Sequence, residues 1–405
     1  MDLKSGYPYW AVRNGLMQAF PPLQQDARCD VLVVGGGITG ALVADELARH
    51  GHDVMVVEQR DVGWGSSAAS TGLLQYEIDT HMVDLAREYG EDAAVQAYRA
   101  CADAIPALED LARSLRGLRD AGIRPCHSLY FASKRRHRGD LWDEFELRAR
   151  HGFDVVWFDR EPLVETYGVD APAAILSRLG ASIDPYRMAY RLLARLERQG
   201  AAIHDRTRID DLQVMSRSVL ARTGDGHAIR AGHVVFAAGY ANQKWLDKRV
   251  AANRSSYAFI TDPIDADMLG KLRSTMVWES ARPYLYLRPT EDDRLLVGGE
   301  DDAVDVPAKR DARVEKKARK LLKRVQHMFP HLPLQPAFSW AGTFAETKDG
   351  LPYFGAHPQH GPRALFAMAY GGNGITYSMA GAPLLRALIE RRRHALASLF
   401  SFDRA

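Results

Sequence analysis

Gly35, Gly37 and Gly40 stand at G-x-G-x-x-G spacing inside DVLVVGGGITGALVADELARHGHDVMVVEQ, residues 30–59. Glycines so placed suit a phosphate chain. Gly35 permits a tight turn, Gly37 lets backbone approach a pyrophosphate, and Gly40 lets a helix close onto a sheet. Ile38 and Thr39 open that helix, whose unpaired N–H groups and positive dipole end attract phosphate. Glu58, followed by Gln59, closes the next apolar run, where a carboxylate accepts from ribose hydroxyls and repels a 2′-phosphate. The set predicts a bound dinucleotide, since a plain glycine turn would have no use for that acid. It does not separate NAD from FAD.

Two further stretches carry donors. GSSAASTGLLQ (65–75) offers Ser66, Ser67, Ser70, Thr71, Gly72 and Leu73, a small hydroxyl-rich loop that can run along an extended dinucleotide. AYGGNGIT (369–376) sets Gly371, Gly372, Asn373, Gly374, Ile375 and Thr376 at the mouth of a second helix.

The elements that must position these groups follow from periodicity. Residues 30–34 and 53–58 read as strands around a helix at 38–50, with Gly51 as its stop: a βαβ unit. Helical character runs over 82–116, SLYFAS (128–133) reads as a strand and 140–151 as a helix. In 184–200, Asp184 caps, Pro185 starts and Gly200 ends an amphipathic helix. HVVFAAG (233–239) reads as a strand ending at Ala238 and Gly239, and 284–289 with 294–300 as a hairpin. Residues 309–329 form a charged helix with Val314, Ala318, Leu321, Leu322 and Val325 on one side.

Composition narrows the class. A net charge of +2 gives no whole-protein argument for nucleic acid or a membrane surface, and no run is long enough to span a bilayer. The N-terminus reads as free of a signal peptide. Cys29, Cys101 and Cys126 form no C-x-x-C, so neither a disulfide frame nor a metal site is expected, and a cytoplasmic setting follows.

Taken together, these patches resemble the D-amino acid oxidase-type family of FAD-dependent oxidoreductases, which includes glycine, sarcosine and γ-glutamylputrescine oxidases. The resemblance runs in patches from about residue 28 to 390: the βαβ with Glu58, GSSAASTGLL, 183–203, VVFAAGYAN, 284–300, WAGTFAETKDGLPYFG (340–355) and AYGGNGIT. It implies an α/β and α+β fold, with a Rossmann-type FAD-binding domain and a β-sheet substrate domain, discontinuous in sequence. The expected division assigns 28–85, 182–242 and 336–395 to FAD, 86–181 and 243–335 to substrate, and 1–27 to an N-terminal extension. Gly342 falls on the cofactor side. The N–H groups of the 371–376 turn would face the flavin N1–C2=O edge, which becomes negative on reduction.

For the substrate, Arg282, Tyr284, Tyr286 and Arg288 share one strand face. Tyr286 ranks first by its likeness to the family's pocket tyrosine, with Tyr284 and Arg288 beside it. Family members that oxidise α-amino acids carry a carboxylate-clamping arginine soon after W-x-G. Here that place holds Phe344, or Ala345 one residue on, so Arg282 or Arg288 would have to substitute. Lys348 is the family-position candidate for assisting oxygen, with a surface turn lysine as its bland alternative. Residues 338–356 hold no Cys or His, and His50 and His52 lie at the far end of their helix, so FAD is expected to be non-covalent. The expected reaction is oxidation of a C–N bond of an amine or amino-acid-like substrate, with hydride passing to flavin N5 and then electrons to oxygen or another acceptor. A 2-hydroxy acid dehydrogenase, a flavoprotein subunit of a larger dehydrogenase and a simple NAD-binding protein are the alternatives. Oligomeric state is not legible.

Overall fold

The computed structural model describes residues 2–115, 121–304 and 306–404. Five parallel strands form the centre of the first sheet, in the order Ala202–His204, Val54–Val57, Ala27–Val34, Ala228–Phe236 and Ala364–Met368. Val54–Val57 is buried throughout, as expected of a strand covered on both faces. Register brings Val34 opposite both Val57 and Phe236, and Phe236 opposite Phe366. Four neighbouring strands therefore stop at one level, and the segments that follow them open one crevice. That is where an open α/β sheet binds ligands.

The second sheet has eight strands, antiparallel except where Thr275–Glu279 runs parallel to His127–Phe131. Alternation divides its faces. Leu285, Leu287, Val297, Phe259 and Ala341 pack beneath the helix Val314–Met328, whose Ala318, Leu321 and Val325 complete that core. The other face looks toward the first sheet and carries Tyr286, Ala258 and Trp340 in register.

Helix boundaries follow the capping chemistry. Pro185–Arg198 begins where Asp184 Oδ1 accepts from the Arg187 amide at 2.9 Å, a cap worth about 1 kcal/mol. The 82–116 stretch is two helices, Met82–Tyr89 and Glu91–Ser114, parted at Gly90 with φ +89°. Its last residue lies outside the described residues.

Two segments fall across the expected domain division. Pro336–Glu346 pairs with Ala252–Thr261, so the first part of 336–395 joins the second sheet. Helix Glu91–Ser114 shares its core with helices Ile38–Arg49 and Gly374–Ile389, on the cofactor side. The N-terminal extension is built in as well. Lys4 bridges to Gly342, Thr343 donates to the Leu3 carbonyl at 2.8 Å, and Trp10 donates from Nε1 to the Ser70 carbonyl at 2.7 Å.

Candidate active site

The crevice above the parallel strands is a cavity of about 720 Å³. Segments that follow the four strands line it: Gly35, Gly37, Ile38 and Thr39; Glu58, Gln59 and Arg60; Ala237, Ala238, Gly239 and Tyr240; Ala369, Gly371, Gly372, Gly374 and Ile375. The 65–75 loop adds Ser66, Ser67, Ser70, Thr71 and Leu73. Backbone geometry forces the first glycine. Gly35 has φ +121°, and a Cβ there would run into the Ala237 carbonyl. Gly40 does not line the cavity: a Cβ there would collide with the Gly35 carbonyl, so it sets helix-to-turn packing.

Glu58 is held ready. Its Oε2 accepts from the Gly36 amide at 2.9 Å and its Oε1 from the Arg60 amide at 3.0 Å. Burial raises its pKa and these amides oppose that rise. Each oxygen keeps a lone pair for a ribose hydroxyl. Arg60 and Lys244 also line the cavity and bring positive charge suited to a pyrophosphate, while Arg208 beside them is paired with Asp210. These donors, the close backbone at Gly35 and an extended cleft fit FAD.

A smaller cavity of about 160 Å³ adjoins this one, sharing Ser66, Ser70, Thr71, Leu73, Tyr240, Gly371 and Gly372 with it. One wall is the inner face of the second sheet, with Ser256 and Ala258, Trp278, Tyr284 and Tyr286, Trp340, Gly342 and Phe344, and another carries Gln75, Glu77 and Asp79. Positions two apart recur because strand side chains alternate. Tyr286 lies over its cross-strand partner Gly298, where a Cβ would strike the phenol ring. Trp278 is fixed by stacking on Tyr130 at 3.8 Å and by donating from Nε1 to Ser128 Oγ at 3.0 Å. Burial raises the Tyr286 phenol to about 12 and the Tyr284 phenol well above its ordinary value, so both are neutral hydroxyls.

Several expected residues stand elsewhere. Arg288 lines neither cavity. It is 2% exposed and donates to the carbonyls of Thr71 (2.7 Å), Ile183 (3.1 Å) and Pro289 (3.0 Å). Its face of the strand continues past the pocket and under the 65–75 loop, so it positions that loop. Arg282 also lies outside both cavities, half exposed, with Nη2 donating to the Asp79 carbonyl at 3.1 Å. Neither arginine lines the pocket. Lys348 is exposed on the turn after Pro336–Glu346 and lines neither cavity.

Gly72 lies against the Ile183 carbonyl, outside both cavities. Gly342 lines the smaller cavity, not the larger. Asn373 does likewise, while its Nδ2 donates to the Gln75 and Glu77 carbonyls, each at 2.9 Å. Thr376 lines neither, and its Oγ1 donates to the Asn373 carbonyl at 2.9 Å.

The glycine turn also differs from expectation in its donors. The Gly371 amide donates to the Ala345 carbonyl at 2.7 Å and the Gly372 amide to Asp79 Oδ2 at 3.0 Å. Donors for a cofactor edge must therefore come from the first turn of Gly374–Ile389, whose amides lack intrahelical partners. At the other glycine helix, the Ile38 amide already donates to Ser67 Oγ at 2.8 Å.

Glu77, Asp79, Ser256, Trp278 and Tyr240 were missed by sequence reasoning. The GG pair at 298–299 opposite YLYLRP was the available signal, because glycine inside a strand marks close approach of another group.

With this geometry in hand, the likeness to known proteins can be weighed. The family model "DAO: FAD dependent oxidoreductase" matches residues 30–388. Glycine oxidase of Geobacillus kaustophilus is 30% identical over 380 residues, 91% of this chain and 94% of its own length. Gamma-glutamylputrescine oxidoreductase of Escherichia coli is 26% identical, over 95% of this chain and 89% of its own. The crystal structure of the Geobacillus glycine oxidase superposes with a TM-score of 0.76 at 23% identity, covering 94% of this chain and 99% of that one. The chain therefore belongs to the DAO family of FAD-dependent oxidoreductases.

Proposed function

We propose that this protein oxidises the C–N bond of an amine that need not carry an α-carboxylate. The supporting observation is the lining of the smaller cavity: six aromatic side chains, Glu77 and Asp79, and neither Arg nor Lys among the described residues. Phe344 occupies the wall where a carboxylate clamp would be required.

The larger cavity would hold FAD non-covalently, with Glu58 on the ribose and the first helical turns toward the phosphates and ring edge. No Cys or His is among the residues lining it. His52 Nε2 lies 3.2 Å from Glu390 and His50 Nδ1 2.7 Å from the Glu46 carbonyl. Bound FAD supplies the acceptor for a hydride leaving the carbon next to nitrogen. The chain itself orients and dries that carbon. Tyr284, Tyr286, Trp278 and Phe344 would surround it, and Tyr240 and the 66–73 loop stand where the two cavities meet. Binding the amine deprotonated frees the nitrogen lone pair to form the C=N bond as hydride leaves; loss of one N–H proton gives the imine, and water then splits it into a carbonyl compound and an amine or ammonia.

A cytoplasmic setting accords with three unpaired cysteines, of which Cys101 and Cys126 are buried. No helix of the described residues is long and apolar enough to cross a membrane. The test is anaerobic titration of the purified flavoprotein with amines, amino acids and 2-hydroxy acids, followed at the flavin absorbance. Bleaching by amines is expected, and bleaching by hydroxy acids alone would overturn the reading. Admitting air then measures whether oxygen restores the colour.

A further inference from the structure

The substrate pocket carries negative charge that the arginine beside it does not fully balance. Asp79 lines it, with Oδ2 on the Gly372 amide and Oδ1 3.9 Å from Arg282 Nη2. Asp301 stands behind the same wall, at the bulge where Ser255–Tyr257 slips in register against Gly299–Asp302. It acts on Tyr284 and Tyr286 and is touched by Ser256, all three of them lining residues. Asp301 Oδ1 is buried without a hydrogen-bond partner. The cation that acts on both Asp79 and Asp301 is Arg282, so one guanidinium serves two carboxylates. Glu346 also faces Asp301 but is paired with Arg254 at 2.8 Å.

On the opposite wall, Glu77 is 3% exposed and also lines the pocket. Its Oε1 accepts from Ser177 and sits 3.8 Å from Arg148, which Glu144 shares, while its Oε2 has no partner. Burial raises the pKa of both the Glu77 and Asp301 carboxyls, each with one partnerless oxygen, so a cation in the aromatic cavity would stabilise their charged forms. Desolvated charge seeks a counter-charge, and aromatic rings favour ammonium at their faces.

We propose that the substrate carries a second, protonated nitrogen remote from the one oxidised, as a diamine does, and that Asp79 binds this ammonium within the aromatic pocket while Asp301, behind the wall, adds its field. This rests on the amine-oxidation reading above and narrows its substrate class. The reacting nitrogen enters neutral, while the remote one stays protonated and completes the charge that Arg282 only half supplies.

The test uses the FAD-loaded enzyme and three probes of similar length: 1,4-diaminobutane, n-butylamine and 4-aminobutanoate. Anaerobic flavin reduction gives an apparent Kd for each. The diamine should bind about 10-fold tighter than the monoamine and roughly 100-fold tighter than the amino acid, as expected for one partly desolvated charge pair gained or opposed. Asp301→Asn should shrink the diamine-to-monoamine ratio about 10-fold, and Asp79→Asn should shrink it at least as much. Flavin content of each variant reports folding, and the wild-type comparison stands even where a variant fails to fold. Equal or tighter use of the amino acid or monoamine overturns the diamine proposal while leaving amine oxidation intact. Reduction by no amine overturns both.

Discussion

Two adjoining cavities in this protein are built on opposite principles. The cofactor cleft is made mainly of backbone. Its glycines allow close approach, its helix mouths present amides, and Arg60 and Lys244 bring positive charge, while Arg208 is paired with Asp210. The substrate pocket is made of side chains. Aromatic rings from the second sheet enclose it, Asp79 gives it negative charge beside the buried Glu77 carboxyl, and no cation lines it among the described residues. The cleft suits an anionic pyrophosphate whose shape is constant. The pocket suits a small ligand of the opposite sign, and a few side-chain changes would alter it. The shared 66–73 loop lets the cavities meet while their chemistry stays separate.

This separation predicts that damage stays local. The largest effect should come from Gly35→Val, because its Cβ meets backbone on the Ala237 side and φ +121° strains any side chain. Strain and overpacking of about 3 kcal/mol would weaken FAD binding roughly 100-fold. Flavin-to-protein absorbance after gel filtration checks it. Gly298→Val should instead push Tyr286 off its cross-strand seat, lowering kcat/KM about 30-fold through misplacement. FAD content should stay full, and joint loss of FAD and activity would break the comparison. Glu58→Gln keeps the shape but gives up charge, and FAD should bind about 10-fold more weakly, at roughly 1.4 kcal/mol. Fluorescence titration of apoprotein measures this, with turnover at saturating FAD expected to be near wild type.

A subtler effect concerns pH. Burial raises Asp301 to about 7, with Asp79 and Glu346 pushing the same way and Ser256 and Arg282 opposing. Below that value its carboxyl is neutral; above it, charged. Affinity for a quaternary ammonium ligand, whose own charge does not titrate, should therefore rise about 5-fold between pH 6 and 8. Tyr284 and Tyr286 remain neutral across that range. Asp301→Asn should flatten the profile.

The contrast also explains what the sequence disclosed. Gly35, Gly37 and Glu58 were legible because one continuous βαβ motif dictates their geometry, and the 66–73 loop was legible from its run of small hydroxyl residues. Asp79, Trp278, Ser256 and Asp301 were not, because only long-range strand pairing brings them together. A single carboxylate in a loop or strand reads as a solvated charge. Alternation correctly put Tyr284, Tyr286 and Arg288 on one face, yet period two cannot say how far along that face a pocket extends, and Arg288 lies beyond it. The 371–372 amides were misjudged for a similar reason: their acceptors, Ala345 and Asp79, are remote in sequence.

The sign of the pocket is the central claim, and two non-reacting ligands of matched size test it directly. Butyltrimethylammonium and hexanoate are titrated into the FAD-loaded enzyme, and each Kd is read from the perturbed flavin spectrum. The ammonium should bind at least about 10-fold more tightly at pH 8, a difference near 1.4 kcal/mol. Tighter binding of the carboxylate would contradict the reading and return the pocket to amino-acid recognition.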